Sequence, residues 1–198
     1  MLAKLARSAE PESDAWVLAH RHLAELAVDR DPWRSAIFAR RVVNVDPDDD
    51  GAWAVLGLAQ TLLGNYRYAV SSYRRAIALA PQNPWYAHNL GHLLDVALGR
   101  PNDAVALLAE AYKREPKEAE IASSYAHALA RAGKLAQAKK VLRRVVAKGA
   151  TAEQMILWRW LEQGAPPTKS SAKGGPSAPP PRPKARKRAR AAQPARRS

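Results

Sequence analysis

A recurrence at 34 residues constrains this chain more than any other feature. The segment ARRVVNVDP, ending at Pro47, runs parallel to YRRAIALAP, ending at Pro81, and Gly57 returns as Gly91, 34 residues on in each case. A unit of that length holds two short helices and a turn. One such hairpin cannot bury both of its apolar stripes, so its neighbours must be copies that cover it.

The clearest copy runs from Asp50 to Pro81. Trp53, Leu56, Gly57 and Gln60 fall at i, i+3, i+4 and i+7, on one face of a first helix. Gly64-Asn65 stops that helix, since glycine enters the left-handed conformation at little steric cost. Ala69, Tyr73 and Ala76 mark the buried stripe of a second helix. Pro81 ends it, lacking an amide donor. Gly57 and Ala69 are small enough for close approach, with Trp53 and Tyr73 expected in the wider gaps on either side. Seven residues at these offsets, Trp53, Leu56, Gly57, Ala69, Tyr73, Ala76 and Pro81, resemble a tetratricopeptide repeat. The resemblance implies an all-α, right-handed superhelical solenoid of antiparallel helix hairpins.

The rest of the chain divides around that unit. Residues 1–14 read as a leader, and 15–164 as the repeat domain, with repeats at about 15–48, 49–82, 83–116 and 117–150 and a capping helix at 151–163. The first repeat lacks the Leu-Gly pair. The third carries Leu90, Gly91, Ala104, Leu108, Ala111 and Pro116, but Pro81 and Pro116 are 35 residues apart, so it holds one extra residue. The Gly-Arg-Pro-Asn segment places that residue in the turn at 98–102, with Asn102 as helix cap. Thr151 and Gln154 have capping-box spacing, and Met155, Ile156, Trp158 and Leu161 are expected to cover the open end of the stack, with a docking surface as the alternative.

From Ala165 to Ser198 the composition turns to Pro, Ser, Gly, Lys, Arg and Ala, with ten cations and no acid. Such a segment buries too little apolar surface to offset its ordering entropy and is expected to be a disordered tail. The formal net charge of +14 resides mostly there, because the remaining residues carry 22 cations against 18 acids. Arg182, Lys184, Arg186, Lys187, Arg188, Arg190, Arg196 and Arg197 are its candidate polyanion contacts. With no aromatic residue among them, base stacking is not available, and any binding would be nonspecific and salt-sensitive. A purely solubilising tail is the plain alternative, and an anionic membrane surface a third. The basic strip at 139–148 reads first as a solvated helix face.

Chemistry in the sense of catalysis is missing from the motifs. There is no glycine-rich phosphate loop, Gly-x-Ser-x-Gly elbow or His-Glu-x-x-His pair, so an enzyme is not expected, and no cofactor is implied. The absence of cysteine removes thiol nucleophiles, thiolate metal sites and disulfides, and with no export signal or membrane span in view it suits the cytoplasm.

The resemblance implies a concave groove lined by the first helix of each hairpin. Its positions fall on Ala54 and Leu58 in the second unit, His88 and His92 in the third, and Ser123 and His127 in the fourth, with His20 and Ala24 in the first. Asn89, Asp95 and Arg131 add polar groups nearby. Peptide recognition by these residues ranks first, solvated or core-satisfied histidine second, and a metal site at His88, His92 and Asp95 third. The family's clamp for a terminal carboxylate is not expected, because Ala54 and Leu58 stand where it needs Lys and Asn. The expected function is a non-catalytic scaffold or adaptor that binds a peptide segment in its groove. The alternatives are a nucleic-acid-associated adaptor acting through its tail and a chaperone like those of type III secretion.

Overall fold

The computed structural model describes residues 2–165. Ten α-helices and no strand occur among them. They are α1 (Leu2–Ser8), α2 (Asp14–Ala27), α3 (Pro32–Val45), α4 (Asp50–Leu62), α5 (Tyr66–Leu79), α6 (Pro84–His92), α7 (Pro101–Arg114), α8 (Ala119–Arg131), α9 (Leu135–Val146) and α10 (Ala152–Glu162). A π-helical turn, Leu93–Ala97, extends α6. The tail cations from Arg182 to Arg197 fall outside the described residues.

Consecutive helices from α2 to α9 pair as antiparallel hairpins, and the hairpins stack as a right-handed solenoid. The first helices pack on one another, α2 on α4, α6 on α8, and α8 on α10. The second helices pack chiefly on the first helices of their own and the next hairpin. The layer whose members lie closer together is the inner side of the curve, so α2, α4, α6 and α8 form the concave wall.

Side-chain volume sets the hairpin spacing. A Cβ on Gly57 would stand 2.8 Å from ring carbons of Tyr73, and one on Gly91 would stand 2.6 Å from Cγ of Leu108. Tyr73 thus occupies the very space that glycine vacates, rather than a gap beside it, and its ring is fully buried. Trp53 sits further out, its Nε1–H donating to the Pro47 carbonyl at 2.8 Å. Burial pushes the Tyr73 phenol up to about 12. The turns follow the glycines: Gly64 has φ of 73°, and Asn65 N–H reaches back to Gln60 O at 2.8 Å. Gly133 has φ of 80°, with Lys134 N–H on Leu129 O at 2.8 Å.

The third hairpin departs from this pattern. Its extra residue is not in the turn but inside the helix, where Leu98 N–H bonds to Leu93 O at 3.1 Å and Arg100 N–H to Leu94 O at 2.8 Å. Each closure is one residue wider than its counterpart in the second hairpin, and the insertion appears as the π-helical turn. Asn102 consequently lies within α7. The helix opens instead on Pro101 at its first position, where proline's fixed φ and missing amide carry no penalty.

Candidate functional site

The site lies where the π turn meets the fourth hairpin. One turn of π-helix widens the backbone spiral, and Asp95, fully buried, reaches across to α8. His127 Nδ1 and Asp95 Oδ2 are 2.5 Å apart. Arg131 Nη1 donates to Asp95 Oδ1 at 3.0 Å and to the Asp95 backbone carbonyl at 2.5 Å. A buried carboxylate survives only when paired and hydrogen-bonded, and here both conditions hold. The carboxylate and the Arg131 guanidinium therefore serve the joint between hairpins.

A second network fixes the remaining histidines. His88 Nδ1 lies 3.2 Å from Asn89 Oδ1, His88 Nε2 lies 3.0 Å from Ser124 Oγ, and Ser124 Oγ lies 3.4 Å from His92 Nδ1. With both rings neutral, the hydrogen count dictates the order. His88 Nδ1–H donates to Asn89, His88 Nε2 accepts the Ser124 hydroxyl, and the Ser124 oxygen accepts from His92 Nδ1–H. His92 Nε2 is left as an acceptor. Burial holds the His88 imidazole below its ordinary value of 6.5, against the Asn89 contact that raises it. His92 is held below that value as well; desolvation by its neighbours outweighs the opposing pull of Asp95.

His92, Ser123, Ser124 and His127 line one cleft of about 540 Å³, which α10 closes through Gln154 and Leu157. Val96 and the acids Glu120 and Glu153 complete its rim. His127 is positioned twice over, by Asp95 on its edge and by Trp160 of α10, whose ring stacks on it at 5.4 Å and 29°. With Nδ1 engaged by Asp95, Nε2 is the remaining ring nitrogen of His127. Ser123 Oγ donates back to Ala119 O at 2.7 Å. The cleft thus presents two imidazole nitrogens, two carboxylates and two apolar side chains on a rigid frame.

Not every residue expected on the groove arrives there. Ala54 is buried among Ala76, Ala80 and Tyr86, and Leu58 is half-buried between the first and second cores. Both lie apart from the histidine cleft. His20 is also separate: Trp16 lies against it at 3.8 Å, tilted by 36°, Phe38 meets it edge-on at 5.7 Å, and Arg41 donates to its Nε2 at 3.0 Å. Asp95 makes its hydrogen bonds to His127 and Arg131 of α8, not to His88 or His92. Among the described residues no group of three or more His, Cys, Asp or Glu is arranged to hold a metal ion. Ser124 and Trp160, both essential to the frame, carry no spacing signal that singles them out.

A stack of helix hairpins with a lined inner wall defines a helical-repeat protein. Tetratricopeptide repeat models match residues 51–83 and 95–155. The chain is a tetratricopeptide repeat protein. Over 110 residues it is 30% identical to Protein FlbA of Caulobacter vibrioides, a match that takes in 56% of this chain and 18% of that protein. The chain therefore spans less than a fifth of that relative's length. Among solved structures, MamA superposes with a TM-score of 0.66 at 20% identity, covering 74% of this chain and 84% of MamA. YrrB, described as a TPR protein with an unusual peptide-binding site, superposes with 0.67 at 18%, covering 82% of each. An O-GlcNAc transferase of Thermobaculum terrenum matches at 31% identity with a TM-score of 0.57, over 65% of this chain and 26% of that enzyme. Among the described residues no helix is long and apolar enough to cross a membrane.

Proposed function

We propose that the protein is a non-catalytic scaffold that holds a segment of a partner protein in the cleft between α6, α8 and α10. One observation carries this reading: His92 and His127 are locked by bonds inside the fold, yet each keeps a ring nitrogen at the wall of a 540 Å³ cleft. Groups fixed before binding lose little conformational freedom when a ligand arrives. The His92 acceptor with Glu120 and Glu153 favours a segment rich in donors, such as backbone amides and a cationic side chain, while Val96 and Leu157 favour an apolar residue beside them. The likeness to YrrB supports a peptide as occupant. Ser124 lies between two rings in the wall and orients them.

The test uses the full chain, with capture of the partner read by mass spectrometry and far-UV circular dichroism as the fold check. His92→Glu combined with Ser123→Glu is expected to abolish capture and leave the helical signal unchanged. Undiminished capture by the folded variant would sink the proposal.

A further inference from the structure

Helix α8 has a second face, turned away from the histidines, and what lies against it is of opposite charge. Two adjoining clefts of about 520 and 280 Å³ run between the end of α7 and α9, separated by the contact of Arg144 Nη1 with the Tyr112 hydroxyl at 3.4 Å. Lys113 and Lys117 stand on one wall; Lys140, Arg144 and Lys148 stand on the other. No carboxylate lines either cleft, although Glu115 and Glu118 flank Lys117 in the chain. Among the described residues none of these five cations is in an ion pair, whereas nearby Arg114 and Lys139 are paired with Glu110 and Glu162. Unpaired cations gathered along one groove repel one another, and an anionic occupant would relieve that repulsion.

The floor narrows the choice of anion. Ala119 and Ala122 of α8 and Val141 and Val145 of α9 form an apolar strip beneath the charges. Phosphate has nothing to place on such a strip. The aromatic rings at hand, Tyr112 and Tyr125, pack against each other at 5.6 Å, tilted by 35°, and are half-buried, so each already has one side occupied and neither stands out as an open platform for bases. An extended peptide meets both demands. Side chains at alternate positions of a strand repeat every ~6.6 Å, close to the ~6 Å that separates residues four apart on a helix, the spacing of Lys140 and Arg144.

We infer that this outer cleft is a second docking site, for an extended protein segment in which Asp or Glu alternates with apolar residues. The segment lays its carboxylates against Lys140, Arg144 and the lysines opposite, and its apolar side chains on the Ala122–Val141 floor. Because α8 presents Ala119 and Ala122 here and Ser123, Ser124 and His127 on its other face, the two sites can be occupied together.

The test measures fluorescence anisotropy of full-length protein with three probes of equal charge: a fluorescein-labelled alternating Glu-Leu peptide, the Glu-Ser peptide of the same length, and a single-stranded oligonucleotide. Glu-Leu is expected to bind at least tenfold more tightly than Glu-Ser. Lys140→Glu with Arg144→Glu should weaken it at least tenfold, while Lys134→Glu at the N-cap of α9 with Arg143→Glu on that helix, the same charge change outside the cleft, should weaken it less than threefold. Lys113→Glu with Lys117→Glu, on the facing wall, should repeat the loss and guards against misfolding of the first variant. Equal losses in cleft and control variants, equal affinity for both peptides, or preferred binding of the oligonucleotide through the same residues would overturn the inference.

Discussion

The second and third hairpins share a plan and differ by one residue. In the second, the Leu-Gly pair, the Gly64 turn and Tyr73 over Gly57 close a regular unit whose polar side chains serve local needs; Thr61 Oγ, for instance, donates to Gly57 O at 2.9 Å. In the third, the position that corresponds to Thr61 is Asp95, and the added residue just beyond it opens a π turn. Asp95 then carries hydrogen bonds across to the fourth hairpin. Regularity builds the stack, and the departure from it builds the wall of the proposed site.

The largest effect should come from breaking the departure. Asp95→Ala leaves Arg131 and His127 without their buried carboxylate, a change of the kind that costs 3–5 kcal/mol; both partners are partly exposed, so about 3 kcal/mol is expected. Thr61→Ala, at the matching position, should cost no more than about 1 kcal/mol. Chemical denaturation of the two variants checks the contrast, and equal losses would erase it. Next come the shared features. Gly57→Ala and Gly91→Ala each force a Cβ into Tyr73 or Leu108 and should each cost about 1–3 kcal/mol, so these two substitutions should not distinguish the hairpins.

Smaller still are the pH limits, which carry opposite signs. His88 has a folded-state value below the ordinary 6.5, so the unfolded chain takes up the proton first, and stability falls as pH drops below about 6.5. Tyr73 is raised from 10.0 to about 12, so its contribution is full below pH 10 and is lost as pH climbs toward 12. Thermal melts across pH should show the acid limb weakened in His88→Gln and the alkaline limb weakened in Tyr73→Phe, with neither variant altering the other limb.

The comparison also marks what a sequence discloses. Hairpin positions were legible because glycine, proline and small residues recur at fixed offsets, each for a local steric reason. His92, Ser123 and His127 were legible as neighbours because helix periodicity places them on one wall. The location of the extra residue was not, since a count between Gly91 and Ala104 is the same whether the chain widens a helix or lengthens a turn. Pro101 opening α7 settled it, a competition between backbone geometries that no spacing records. Ala54 illustrates the reverse error: its position suits a groove, but Tyr86 from the next hairpin covers it. Trp160 approaches His127 from α10, outside the repeated unit, so no period could announce it.

Val96 and Leu62 occupy matching positions in the two hairpins and are equally open, at 53% and 52% exposure, but Val96 alone lines the histidine cleft. A photo-cross-linking amino acid placed at each in turn, in the full chain under native conditions, compares the sites directly. A discrete partner adduct from position 96 and none from position 62 is the expected result. Adducts of equal yield from both, or from position 62 alone, would contradict the claim that the departure from the repeat carries the binding site.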